Sequence, residues 1–215
     1  VAPDLTANVA CQRTYLAQIA AELGEGGEPW HERAVTSLAA LQRQCFDAGD
    51  RFYYDRAADG SLVRVQSDVL LRVLTCEVGD EEFFASALET YLLNTGKFLS
   101  HYGFTSLALD DPRFDHDHTR NSWGGPVNFL SLIRAPHAFE RHGHVAELAL
   151  TWRPLLSAVA AATTFPQCLD PWTGTAGFTS VYSPAILWFL DTVERSCGVL
   201  PRPDGELWFS GLPPT

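Results

Sequence analysis

Apolar residues recur at the spacing of a helix face in segment after segment of this 215-residue chain. In LTANVACQRTYLAQIAAELG, the residues Leu5, Val9, Leu16, Ile19, Ala20 and Leu23 make one apolar stripe. Asp4 stands where an N-cap belongs and Gly24 where a helix stops. PWHERAVTSLAALQRQCF follows, with Pro29 suited to a first turn and Ala34, Leu38, Leu41 and Cys45 in line. RFYYDRAADGSLVRV breaks the pattern, because two β-prone runs flank Asp59-Gly60, a hairpin signal. Helical spacing resumes at Val69, Leu70, Val73 and Leu74, and again in EEFFASALETYLL.

The stretch from Thr95 to Gly125 is irregular and rich in Gly, Asp, Asn and His. Loops of that length in a compact domain are commonly functional or disordered, and its aromatic content argues against disorder. GPVNFLSLIRAPHAFERHG is apolar nearly all round, which implies burial on several sides, with Asn128, Ser131 and Arg134 as its polar exceptions. HVAELALTWRPLLSAVAAA lines up Val145, Leu148, Trp152, Leu155 and Val159. Pro136 and Pro154 are each expected to kink or interrupt their helix. SPAILWFLDTVERSCG is the last helix. About seven helices in consecutive hairpins, very apolar ones alternating with half-polar ones, imply an all-α fold with two concentric layers, an α/α toroid carrying one small β-hairpin. An irregular helical bundle meets the same periodicity. Residues 1–198 are expected to be part of the toroid. Residues 199–215 are expected to be a linker or the start of a β-domain, because the tail GELWFSGLPPT reads as a strand with no partner nearby in sequence.

A hydrophobic share of 46% provides for a substantial core. A net charge of −11 argues against nucleic acid and anionic membrane surfaces as partners and is compatible with neutral carbohydrate. No run of about 18 apolar residues is apparent, and no signal peptide. Five scattered cysteines without CxxC spacing suggest neither a disulfide framework nor a zinc site, and favour a reducing, cytoplasmic setting. The chain contains no methionine, so it is expected to be a piece of a longer protein.

Sugar sites combine aromatic rings, which stack on pyranose faces, with carboxylates and amides that grip hydroxyls. Hydrolysis adds two carboxyl groups across the scissile bond. The irregular segments hold Phe104, Trp123, Trp172, Phe178 and Tyr182, together with Asp110, Asp111, Asp115, Asp117, Asp170, Asn121, Asn128 and Gln167. DHDH, Asp115 to His118, reads as a solvated loop in preference to a metal cluster, since neighbouring residues need ligands from elsewhere. Cys168 has no base assigned by sequence and reads as an inert thiol. There is no Gly-rich phosphate loop and no GxSxG.

Three segments together resemble the six-hairpin (α/α)6 glycosidases, near glycoside hydrolase family 63 and the related mannosylglycerate and glucosylglycerate hydrolases. YGFTSLALDDPRF is similar to the aromatic-Gly-Phe-x-Ser-Leu-Ala stretch before the family's large active-site loop. NSWGGPVNFLSLIRA resembles the Tyr-Trp-Arg-Gly-Pro segment that lines the sugar pocket. FPQCLDPWTGTAGF resembles Phe-x-Glu-x-Tyr-x-Pro-x-Thr-Gly, which carries the catalytic base. The departures are Gly124 for the pocket arginine, Asn128 for a second tryptophan, Leu169 for the tyrosine and Gln167 for the base itself.

The resemblance implies the C-terminal half of a barrel that hydrolyses a glycosidic bond in a small oligosaccharide or glycoside. The catalytic acid would lie in the missing N-terminal half, supplied covalently or by a second chain. Gln167 cannot accept a proton at neutral pH. Asp170 or Asp117 could act as a shifted base, the site could bind sugar without cleaving it, or Gln167 could orient water. Gln167 and Asp170 are the catalytic candidates. Phe104, Trp123, Gly125, Asn128, Trp172 and Tyr182 are the substrate-binding candidates. No metal and no organic cofactor is implied. The alternatives in other classes are a non-catalytic carbohydrate-binding or scaffold toroid, and an α/α-toroid polysaccharide lyase using Tyr182 or a loop histidine as base.

Overall fold

The structure is a computed structural model that describes residues 1–196, 198–201 and 205–209. Cys197 and the tail residues 210–215 lie outside the described residues. The chain divides into two compact units, Val1–Ala87 and Leu88–Thr215.

In the first unit, α1 (Pro3–Glu22) and α2 (Glu28–Cys45) pack as a helical hairpin. Helix α1 starts on Pro3, whose missing N–H would have no partner in a first turn anyway. Asp4, expected as the cap, lies inside that turn and pairs with Arg72 Nη2 at 2.8 Å. The helix stops at Gly24 as expected. Gly24 has φ +74°, its N–H donates to Ala21 O and the Glu25 N–H donates to Ala20 O, the paired bonds of a Schellman cap.

The apolar stripe expected to face the core does not. Leu5, Leu16, Ile19 and Leu23 are exposed, Leu23 at 71%, and the buried side of α1 is Ala7, Ala10, Cys11 and Ala20. Small side chains let the two helix backbones approach closely, which turns the larger apolar residues outward. At the turn the approach is closest, since a Cβ on Gly27 would lie 2.5 Å from Ala17 O. On α2, Ala34, Leu41 and Cys45 are buried as read from sequence, whereas Leu38 is exposed.

Strands β1 (Phe46–Asp47) and β2 (Phe52–Tyr53) pair, and β3 (Asp55–Arg56) pairs with β4 (Leu62–Val63) across the turn at Gly60, φ +85°. That second pair is the expected hairpin. Helix α3 (Val69–Leu74) buries Leu70, Leu71, Val73 and Leu74, and α4 (Glu81–Ala87) buries Phe84 and Ala87.

The second unit opens with a π-helical turn, Leu88–Leu92. β5 (Leu99–Ser100) pairs with β6 (Gly103–Phe104). β7 (Val127–Asn128), β8 (Cys168–Leu169) and β9 (Ala176–Gly177) form an antiparallel sheet with β8 in the middle. The sequence suggested one hairpin. Strands of two residues are too short for alternation to register, so these pairings leave no periodic trace.

The apolar segment after Asn128 is split into α5 (Phe129–Leu132) and α6 (Ala135–Arg141), with Pro136 in the first turn of α6. α7 (Val145–Ala162) runs through Pro154 as a single helix. By length and composition α7 is apolar enough to cross a membrane, contrary to the reading that no such stretch exists. It nevertheless carries Glu147 and Arg153 and buries one face, with Leu148, Trp152, Leu155 and Val159. α8 (Ser183–Ser196) presents Ala185, Trp188, Thr192 and Arg195 inward. Trp188 touches Phe129 at 5.3 Å and Trp152 at 5.5 Å between ring centres, which joins α5, α7 and α8. The opposite side of α8 leaves Leu187, Leu190 and Val193 exposed.

The strand read in the tail has a partner after all. β10 (Val199–Pro201) pairs with β11 (Leu207–Phe209), so the first residues after α8 supply the edge that the tail strand needs.

Candidate functional site

Sheet β7–β8–β9 and the loop of residues 110–125 bring the sequence candidates together. Gln167 enters β8 with its backbone held on both sides. Its N–H donates to Phe178 O at 3.0 Å, and its carbonyl accepts the Phe129 N–H at 3.1 Å. The side chain is buried at 6% exposure, and Nε2 donates to Asn121 Oδ1 at 2.8 Å. An amide donating to an amide is a fixed, uncharged arrangement. It orients a neighbouring group and takes no proton.

Asp170 does not fit the role of a shifted base. Its carboxylate is 5% exposed. Oδ1 accepts the backbone N–H groups of Trp172 at 3.0 Å and Thr173 at 2.8 Å, and Oδ2 lies 2.8 Å from His116 Nδ1. Burial pushes the acid up, but the Thr173 N–H, His116 and the Trp172 N–H outweigh it and pull Asp170 down to about 2. Such a carboxylate holds a turn together and is a poor proton acceptor near neutrality.

Asp117, the other candidate base, accepts from the Thr119 hydroxyl at 2.6 Å and N–H at 3.0 Å and pairs with Arg120, and these contacts lower its pKa. The remaining loop carboxylates are also engaged. Asp110 pairs with Lys97, Asp111 with Arg113 and Asp115 with Arg120. In DHDH the two aspartates thus grip Arg120, and the two histidines turn toward Asp170, with His118 Nδ1 3.6 Å from Oδ2. Cys168 is buried, and burial drives its thiol up to about 11, which leaves it inert as a nucleophile.

Three substrate-binding expectations need correction. Phe104 is 4% exposed and stacks on Phe139 with ring centres 6.0 Å apart, so it belongs to the core. Asn128 is buried and caps α5, its Oδ1 accepting the Leu130 N–H at 3.0 Å, while its Nδ2 has no hydrogen-bond partner among the described residues. Gly125 makes room for backbone. A Cβ there would sit 2.5 Å from Asp115 O, so its smallness serves the packing of the loop on itself.

The other aromatic candidates remain accessible. Trp172 is 47% exposed, Trp123 and Phe178 are exposed, and Tyr182 is half-buried, its N–H donating to Phe165 O at 2.8 Å. Phe178 and Thr179 beside Gln167 both have positive φ, +35° and +73°, a conformation held at a cost by its surroundings. Sequence reading missed His116, which lies edge-on to Trp172 with ring centres 4.9 Å apart. The only signal for it was its place in DHDH, because its partner Asp170 is 54 residues away.

The comparisons agree with this architecture. The mannosylglycerate hydrolase MGH1-like glycoside hydrolase domain matches residues 1–184. The glycoside hydrolase family 63 mannosylglycerate hydrolase from Thermus thermophilus is similar over 89% of this chain, with a TM-score of 0.76 and 21% identity. This chain spans 45% of that one. A sialidase matches 93% of the chain with a TM-score of 0.75 at 14% identity, this chain covering 20% of it. Neutral trehalase from Saccharomyces cerevisiae matches 88% with a TM-score of 0.69 at 15% identity, of which this chain covers 37%. No curated protein matches the sequence significantly. The fold is that of the (α/α)6 toroid glycosidases, in part. With 184 of its residues on the family's pattern, the chain belongs to the mannosylglycerate hydrolase MGH1-like glycoside hydrolase domain family.

Proposed function

We infer that the protein containing this chain hydrolyses a glycosidic bond in a small neutral glycoside or oligosaccharide, and that this chain holds the sugar while the proton-transfer groups come from elsewhere in the protein. One observation carries the division of labour. At the position where the family resemblance places the base, Gln167 is buried and donates to Asn121, so no carboxylate is there. The engagement of Asp110, Asp111, Asp115, Asp117 and Asp170 with cationic or imidazole partners supports it, since each is already committed to a contact within this chain. The exposed Leu187, Leu190 and Val193 on α8 support a further part of the barrel, or a second chain, as the cover for that face. The burial of Cys11, Cys45, Cys76 and Cys168 as core residues fits a cytoplasmic setting.

Gln167 also favours a second reading, in which the site binds sugar without turnover. The test is hydrolysis by the full-length protein on a panel of α-linked disaccharides and glycosides, wild type beside Gln167→Glu. Cleavage by the wild type is expected. A wild type inert on the whole panel, with activity gained by Gln167→Glu, would establish the second reading and overturn the first.

A further inference from the structure

The hairpin between β8 and β9 carries an aromatic arrangement whose parts are locked together by one buried carboxylate. Asp170 Oδ1 accepts the N–H of Trp172 and of Thr173, which fixes the backbone under the indole. Oδ2 lies 2.8 Å from His116 Nδ1, which fixes the imidazole beside it. The rings meet at 87°, and Phe114 lies against the indole with ring centres 5.8 Å apart at 69°. Trp172 therefore stays 47% exposed without being free to turn, and the His116 side chain is 53% exposed. An exposed indole held on two sides by other rings is a prepared surface, with most of the ordering cost of binding already met by the fold.

The hydrogen-bond chemistry is settled by the same carboxylate. An ionised Asp170 only accepts, so His116 Nδ1 is the donor and carries the proton. That leaves Nε2 as the ring's other hydrogen-bonding atom, and it has no hydrogen-bond partner among the described residues. On the other side of the turn, the hydroxyls of Thr173 and Thr175 are 2.8 Å apart and exposed, and Thr173, Gly174 and Thr175 line a cleft of 330 Å³ with Tyr102 and Ser157.

The charged groups around the rings are already paired, Arg113 with Asp111, Arg120 with Asp115 and Asp117, and His118 turned to Asp170. What remains on offer is an exposed indole, an imidazole nitrogen and uncharged hydroxyls. We propose that Trp172, seated against His116 and Phe114, is a stacking platform for one neutral pyranose ring, with His116 Nε2 hydrogen-bonded to a sugar hydroxyl. This deepens the sugar-holding role inferred above and rests on it for the class of ligand. It does not need the protein to cleave anything.

The test is calorimetric titration of the full-length protein with maltotriose, and with glucuronate as the anionic comparison. Trp172→Ala is expected to weaken maltotriose binding about three- to tenfold, the range of an aromatic stacking contact. Trp172→Phe, which keeps a flat apolar ring, is expected to retain most of the affinity. His116→Ala is expected to weaken binding a few-fold and His116→Gln, which restores a hydrogen-bonding group, to recover part of it. Three results would overturn the proposal: Trp172→Ala binding as tightly as wild type, glucuronate binding more tightly than maltotriose, or wild type binding no maltotriose. A protein that binds through Trp172 but cleaves nothing would sink the hydrolase reading and leave the platform standing. An active enzyme indifferent to Trp172→Ala would do the reverse.

Discussion

Replacing Asp170 by asparagine isolates the contribution of one charge to the stability of the site. The amide would keep the oxygen that accepts from Trp172 and Thr173 and would lose the negative charge that faces His116. The carboxyl is held at about 2 against an ordinary 3.8, and the side chain is 5% exposed, so screening by solvent is small. A depression of that size corresponds to about 2 kcal/mol of folding stability. The sign follows from its direction. A depressed acid stabilises the folded state above its ordinary pKa, and that contribution fades as pH falls through about 2. Asp170→Asn is therefore expected to lose about 2 kcal/mol at neutral pH in urea unfolding of the full-length protein, with an unchanged slope. The gap to wild type should narrow below about pH 4 and close near pH 2. A variant as stable as wild type at neutral pH, or a gap that persists unchanged at about pH 2, would show that the three hydrogen bonds do not hold Asp170 as argued.

Two further outcomes test the packing. Gly27→Ala should cost about 1–3 kcal/mol, because its Cβ would lie 2.5 Å from Ala17 O while φ there is an ordinary −81° and adds no strain; thermal unfolding measures it, and a neutral effect would mean that the turn between α1 and α2 can relax. Leu187→Glu with Leu190→Glu should improve the solubility of the isolated chain yet destabilise the full-length protein. Equal stability of variant and wild type in the full-length protein would mean that nothing covers this face of α8.

The long helices were legible because burial imposes a period that many residues share. α2, α7 and α8 lie where the spacing placed them, and Gly24 ends α1 for the reason its type suggests. Which face of α1 turns inward was not legible. Periodicity reports where large apolar residues are, and here the buried side carries the small ones, Ala7, Ala10 and Cys11. Phe104 and Asn128 were misread for a related reason. A loop-like sequence says nothing of depth, and both sit in two-residue strands inside the core. The family motif located Gln167, but its amide partner and the clamp on Asp170 come from the loop of residues 110–125, and no local pattern announces a contact of that range.

Contacts of that range also order the way the molecule comes together. Gln167 meets Asn121 across 46 residues, Cys168 meets the His118 carbonyl across 50, and Asp170 meets His116 across 54. Joining ends so far apart is entropically costly while the intervening chain is loose, and the cost falls once that chain has condensed. The intervening chain is α5, α6 and α7, which must first draw the two strands of contact near each other. The two halves of the site thus depend for their meeting on the packing of the helices that lie between them in sequence.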